Sequence, residues 1–77
     1  MATYYNNVAM LYQDLGDFDK AVDSFEQALV IIERHDKAGN EIATIYVSLG
    51  ESLLRAGRLD EAKDRLAEAV RRYQLMG

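Results

Sequence analysis

The chain has 77 residues, of which 49% are hydrophobic and 29% charged, and nine basic against thirteen acidic residues give a net charge of −4. The absence of cysteine excludes a disulfide framework, and a single histidine excludes a zinc site of the usual Cys/His kind. The acidic balance argues against nucleic-acid binding, and no apolar run is long enough for a membrane span. We therefore expect one small domain without a nucleic-acid or membrane partner, and a cytoplasmic location because no signal-peptide pattern is visible.

The sequence repeats itself at a spacing of 41 residues. When residues 1–36 are aligned on 42–77, eight positions are identical, and most of them are glycine, alanine or apolar positions, which turns and packing constrain. The whole chain, 1–77, is therefore predicted to be a single domain with three parts: repeat 1 at about 2–36, a loop at 35–40 and repeat 2 at about 41–76.

The helical period predicts two helices in the first repeat. The first covers residues 3 to about 15 and ends at Gly16, the residue type best able to adopt a left-handed C-terminal cap. The second starts after Asp17, a helix-capping residue, and covers residues 18 to about 34 or 36. The predicted inner face of the first helix is Tyr5, Val8, Ala9, Leu11, Tyr12 and Leu15. That of the second is Phe18, Ala21, Val22, Phe25, Ala28, Leu29 and Ile32.

The second repeat follows the same plan, with helices at about 41–56 and 59–75 and Gly57 between them. The inner face of the third helix is predicted to be Tyr46, Leu49, Gly50 and Leu53. That of the fourth is Ala62, Leu66, Ala69, Val70 and Tyr73, with Glu61/Arg65 and Glu68/Arg72 as outward ion pairs. No segment alternates like a strand, so the fold class is all-α, with four helices in two hairpins.

Both units resemble the tetratricopeptide repeat over essentially the whole chain. The residues that match its pattern in the first unit are Tyr5, Val8, Ala9, Tyr12, Gly16, Asp17, Phe18, Ala21, Phe25 and Ala28. Those in the second are Tyr46, Leu49, Gly50, Leu53, Gly57, Arg58, Leu59, Ala62, Leu66 and Ala69. The resemblance implies two tandem hairpins stacked as a short right-handed α-solenoid. The spacing of 41 residues is similar to the elongated repeats of kinesin light chains and bacterial regulator sensor domains.

In that family, ligands lie in a concave groove formed by the first helix of each hairpin. The matching positions are Asn6, Asn7, Met10, Gln13, Val47, Ser48, Glu51, Leu54 and Arg55. Asparagine amides can bond both the N–H and the C=O of an extended peptide, and three apolar side chains here can form a contact strip. The other interpretation is that the polar residues are merely solvated and that a neighbouring helix covers the apolar ones. The Lys/Asn clamp by which some relatives grip chaperone tails is missing, since Asn6, Met10 and Glu51 stand at its positions.

The resemblance implies a non-enzymatic scaffold that binds a peptide or helix of a partner protein, as a piece of a longer repeat array. No set of residues indicates catalysis, a cofactor or a metal site, so none is expected. The alternative is a structural or homo-oligomerisation module that pairs through its terminal helices. Residues 1–38 hold three basic and seven acidic groups, whereas 39–77 hold six of each, which favours either head-to-tail stacking of copies or a partner with a basic end.

Overall fold

The computed structural model describes residues 2–35 and 39–76. These residues form four helices and no strand: α1 (Ala2–Asp14), α2 (Phe18–His35), α3 (Gly39–Arg55) and α4 (Leu59–Met76). The all-α prediction is confirmed, and every helix boundary lies within two residues of the predicted one.

The loop predicted at 35–40 is too long. His35 is the last residue of α2, and Gly39 and Asn40 are the first two of α3. Glycine and asparagine are favoured at helix starts, so a polar, glycine-containing segment can open a helix as well as separate two helices. Residues 36–38 of the predicted loop lie outside the described residues.

The turn inside each hairpin has the same construction. Gly16 and Gly57 adopt positive φ angles of 83° and 82°, the left-handed conformation that favours glycine. The next residue donates its N–H back into the helix, from Asp17 to the Tyr12 carbonyl and from Arg58 to the Leu53 carbonyl, both at 2.9 Å. These bonds satisfy carbonyls that a helix end would otherwise leave free. Asp17 also accepts the Lys20 backbone N–H at 3.3 Å, which is the predicted cap of α2.

The core runs through both hairpins. Helix α2 lies between α1 and α3, and α4 packs against α3. The largest fully buried apolar side chains are Phe25, Ile42, Leu49, Leu53 and Val22. The alanines predicted to allow close helix approach are also buried, namely Ala9, Ala21, Ala28, Ala62 and Ala69.

Four residues predicted on inner faces are exposed instead. Leu11 and Leu15 of α1 are 62% and 79% exposed, and Val70 and Tyr73 of α4 are 56% and 47% exposed. The reason is their place in the stack. Helices α1 and α4 are the first and last helices, so each has a flank with no neighbouring helix in this chain, whereas α2 and α3 have neighbours on both sides.

Candidate functional site

The nine predicted binding positions lie on equivalent arcs of α1 and α3, the first helix of each hairpin. We call this set the α1–α3 groove; it comprises Asn6, Asn7, Met10, Gln13, Val47, Ser48, Glu51, Leu54 and Arg55. One hydrogen bond joins the two helices: Gln13 Nε2 donates to Ser52 Oγ at 2.6 Å, and Ser52 is fully buried. Gln13 therefore fixes the two helices side by side as well as contributing to the groove.

Three apolar side chains of the α1–α3 groove are open to solvent. Met10 and Leu54 are each 51% exposed and Val47 is 40% exposed. The Asn7 side chain is exposed and that of Asn6 is half-buried, and within the described part of the chain neither amide has a hydrogen-bond partner. The groove thus offers unoccupied amide donors and acceptors beside apolar surface.

One end of the α1–α3 groove carries charge of both signs. A shallow cavity of about 170 Å³ is lined by Gln13, Asp14, Phe18, Glu51 and Arg55. The Arg55 guanidinium lies 5.8 Å from the centre of the Phe18 ring. A cation over an aromatic face is held electrostatically, which positions the Arg55 head group at this cavity. Of the predicted residues, the cavity brings Gln13, Glu51 and Arg55 together.

The opposite side of the molecule carries a feature that the sequence analysis did not predict. Three arginines, Arg58 directly before α4 and two within α4, reach three acidic residues of α2, and we call these pairs the ion-pair ladder. They are Arg58 with Asp19 at 3.3 Å, Arg65 with Glu26 at 2.8 Å and Arg72 with Glu33 at 3.5 Å. The signal was present in the sequence, since the three acids are seven residues apart on α2 and the three arginines are also seven apart, beginning one residue before α4.

Tyr46 lies beneath the ladder. The guanidinium carbons of Arg65 and Arg72 are 5.9 and 5.1 Å from the centre of its ring, and its hydroxyl donates to Glu33 Oε2 at 3.4 Å. Burial, followed by the nearby Glu33 carboxylate, raises the pKa of Tyr46 above its usual value, so it stays a neutral hydrogen-bond donor at physiological pH. Two arginines of the ladder therefore pack against a buried aromatic ring.

Of the two ion pairs predicted within α4, one is present and the other is replaced by contacts of the ladder. The Glu68/Arg72 pair is confirmed, with Arg72 Nε donating to Glu68 Oε2 at 3.0 Å. Glu68 also accepts from Arg71 at 2.7 Å, and that bond holds the pKa of the Glu68 carboxyl below its usual value. The predicted Glu61/Arg65 pair is wrong, because Arg65 extends across to Glu26 and Glu61 pairs with Arg58 at 2.7 Å.

Beside the ladder is an open cavity of about 510 Å³. Its lining is mostly charged and comprises Glu26, Tyr46, Arg58, Glu61, Asp64, Arg65 and Glu68. The residues that the structure describes contain no group of three or more histidine, cysteine, aspartate or glutamate side chains placed to hold a metal ion. Over the same residues, no helix is long and apolar enough to cross a bilayer.

Comparisons with known proteins agree with this architecture. The family model described as tetratricopeptide repeat matches residues 1–74. A photosystem I assembly protein, Ycf3 of Prochlorococcus marinus, is 34% identical over 74 residues, which cover 87% of this chain and 43% of that protein. The chain therefore spans less than half the length of this relative.

A solved structure shows the same fold. The N-terminal domain of stress-induced protein-1 from C. elegans superposes with a TM-score of 0.88 at 20% identity, over 95% of this chain and 57% of that one. The family description does not distinguish repeat lengths, so the elongated subtype stays a prediction.

Proposed function

Because the chain belongs to the tetratricopeptide-repeat family, a fold of the non-catalytic scaffold type, we propose that it is a protein-binding scaffold and not an enzyme. The ligand is a peptide segment or helix of another protein, held in the α1–α3 groove. The net charge of −4 disfavours a nucleic acid as the ligand, and the cytoplasm is the proposed location.

The observation that supports the groove most directly is its combination of exposed apolar side chains with amides that have no partner. Met10, Val47 and Leu54 offer an apolar contact on an otherwise polar arc, and Asn7 lies one position from Asn6 on the same arc. An extended peptide has backbone N–H and C=O groups that an asparagine amide can satisfy simultaneously. Apolar side chains of the same peptide then gain by covering the exposed strip.

The similarity to a photosystem I assembly protein supports a role in bringing other proteins together. We propose the same general role here, without transferring that protein's partner, because this chain matches only 43% of its length.

Selection of random twelve-residue peptides displayed on phage, with the purified chain as bait, tests this proposal. Synthetic copies of the enriched peptides are titrated against the chain by fluorescence anisotropy. We expect the double variant Asn7→Ala/Met10→Ala to bind them at least about tenfold more weakly, a loss of about 1.4 kcal/mol or more.

The matched control is Val30→Ala, which shortens an exposed apolar side chain of α2, outside the groove. It is expected to bind as the unmodified chain does, and circular dichroism confirms that both variants are folded. Peptides that bind the groove variant with unchanged affinity, or that are lost with Val30→Ala, would remove the α1–α3 groove as the binding site.

A further inference from the structure

The two ends of the molecule expose apolar faces whose counterparts are buried inside it. On α2, three apolar residues belong to the buried core: Phe25, Leu29 and Ile32. The residues 41 positions later on α4 form what we call the α4 end face: Leu66, Val70 and Tyr73. Leu66 is half-buried and the other two are exposed. The difference arises because α2 has α3 on this side, whereas no helix of the described residues covers this side of α4.

The opposite end shows the complementary pattern. On α3, the residues Ile45, Leu49 and Ser52 are buried. The residues 41 positions earlier on α1 form the α1 end face: Tyr4, Val8 and Leu11. Tyr4 and Leu11 are exposed, and Val8 is half-buried. Each end face is therefore equivalent to one half of the interface by which the two repeats pack together.

We propose that the chain stacks head to tail on a second copy of itself, with the α4 end face of one copy against the α1 end face of the next, in the alignment that its own two repeats use. This extends an interface already present within the molecule. It does not depend on the groove proposal: stacking of this kind covers Leu54 at one edge of the α1–α3 groove and leaves the other groove positions of α3 in place.

The hydrogen bond between Gln13 of α1 and Ser52 of α3 shows how the end faces match. Within the chain, Gln13 bonds Ser52. Between copies in the same alignment, Leu54 takes the place of Gln13, and Leu11 of the second copy takes the place of Ser52. Both leucines are more than half exposed in the single chain. The amide–hydroxyl pair inside the chain therefore corresponds to a pair of apolar residues between copies. Neither copy then buries an unsatisfied polar group at this position.

The ion-pair ladder, by contrast, does not continue between copies. The equivalent of Asp19 with Arg58 is Asp60 with Asp17 of the second copy, and the other two positions pair neutral residues, Ala67 with Ser24 and Gln74 with Ile31. The arginines Arg58, Arg65 and Arg72 are already paired within their own chain. Apolar contact, and not the charge difference between the repeats, therefore drives the association.

The first test is the light-scattering mass of the purified chain as a function of concentration. We expect the mass to rise above the monomer value of 8.7 kDa, and the rise to persist or increase in high salt. A mass that stays at the monomer value at all concentrations would overturn the proposal. So would self-association that salt abolishes, since that outcome assigns it to opposite charges.

The second test uses two variants that each block one end face, Leu11→Glu on α1 and Val70→Glu on α4. Each variant retains one intact end face but lacks the end face that would bind it, so each is expected to remain monomeric. An equimolar mixture is expected to form a one-to-one complex of doubled mass and nothing larger, because only one productive contact is available. Val30→Glu, which places the same charge on exposed apolar surface of α2, is expected to associate as the unmodified chain does.

The same variants also distinguish head-to-tail stacking from pairing of two identical end faces. If Leu11→Glu still dimerises while Val70→Glu does not, two α4 end faces pair with each other and the head-to-tail proposal fails. If the mixture stays monomeric while circular dichroism shows both variants folded, the proposal fails as well. Val47→Ala, which alters the groove on α3 and belongs to neither end face, is expected to stack normally, so failure of the groove proposal is distinguishable from failure of this one.

Discussion

Gly50 lies where α3 closely approaches α4. A Cβ added there would lie 2.6 Å from Leu66 Cγ and 2.7 Å from Leu66 Cδ2, well inside van der Waals contact. The equivalent residue of the first repeat is Ala9, which is fully buried and carries the Cβ that Gly50 lacks. In the second hairpin only glycine fits at this position without movement of Leu66.

We predict that Gly50→Ala destabilises the protein by about 1 kcal/mol. Overpacking costs about 1–3 kcal/mol, and it outweighs the gain of about 1 kcal/mol that alanine normally brings to a helix interior. Urea denaturation followed by circular dichroism measures the change.

The control is the same substitution in a Leu66→Ala background, where the clash is absent. There Gly50→Ala is expected to stabilise the protein, because only the helix-propensity gain remains. Destabilisation of similar size in both backgrounds would show that contact with Leu66 is not the cause.

At the scale of the element, α4 is held to α2 by charge and to α3 by apolar packing. The ladder pairs are partly exposed, so each is a weak contact by itself. Arg65 and Arg72 gain a second contact from the Tyr46 ring. Together these contacts favour one alignment of α2 relative to α4.

A double-mutant cycle tests the central pair. We predict that Glu26→Ala and Arg65→Ala show a coupling energy of about 0.5–1 kcal/mol in urea denaturation, and that this coupling decreases as salt is added. The comparison cycle pairs Glu26→Ala with Arg71→Ala, since Arg71 bonds Glu68 on its own helix. That cycle is expected to be additive, and equal coupling in the two cycles would contradict a direct Glu26–Arg65 contact.

The helices and their turns could be predicted from the sequence because their causes are local. The period of the apolar residues sets the buried side, and Gly16 and Gly57 supply the positive φ angles that end α1 and α3. The ladder could not be predicted by pairing charges within one helix, because Arg65 bonds across to α2. The prediction that Leu11 and Val70 lie on inner faces is wrong for a related reason. A helical wheel shows that a helix face is apolar, but it does not show whether a neighbouring helix covers that face.

The α1–α3 groove could be predicted only as a set of positions. The sequence placed Met10 and Leu54 on an exposed arc, and the structure shows both side chains half open to solvent. It could not indicate that Gln13 serves in packing as well, because its partner Ser52 is 39 residues away in the chain.

For the whole molecule, the two hairpins share one core. The buried cluster includes residues of all four helices, from Ala9 of α1 to Ala69 of α4. Since α2 is covered by α1 on one side and α3 on the other, neither hairpin can bury its apolar side chains without the other. Stability is thus a property of the pair, as expected for stacked repeats.

We predict that peptides 1–37 and 38–77 are each largely unfolded in isolation and gain helicity when mixed. Chains of about 40 residues or fewer rarely bury enough surface to fold alone, and isolated helices of this length are marginal in water. Far-ultraviolet circular dichroism of the separate and mixed peptides provides the measurement. Full helicity in either peptide alone would show that a single hairpin suffices.

The uniform spacing of the ion-pair ladder has a consequence for how its pairs form. Every rung joins residues 39 positions apart, so each closes a loop of the same length. Once one rung has formed, the chain entropy of that loop has already been lost, and the other two form with little further loss. We therefore expect the second and third pairs to form readily once the first has formed.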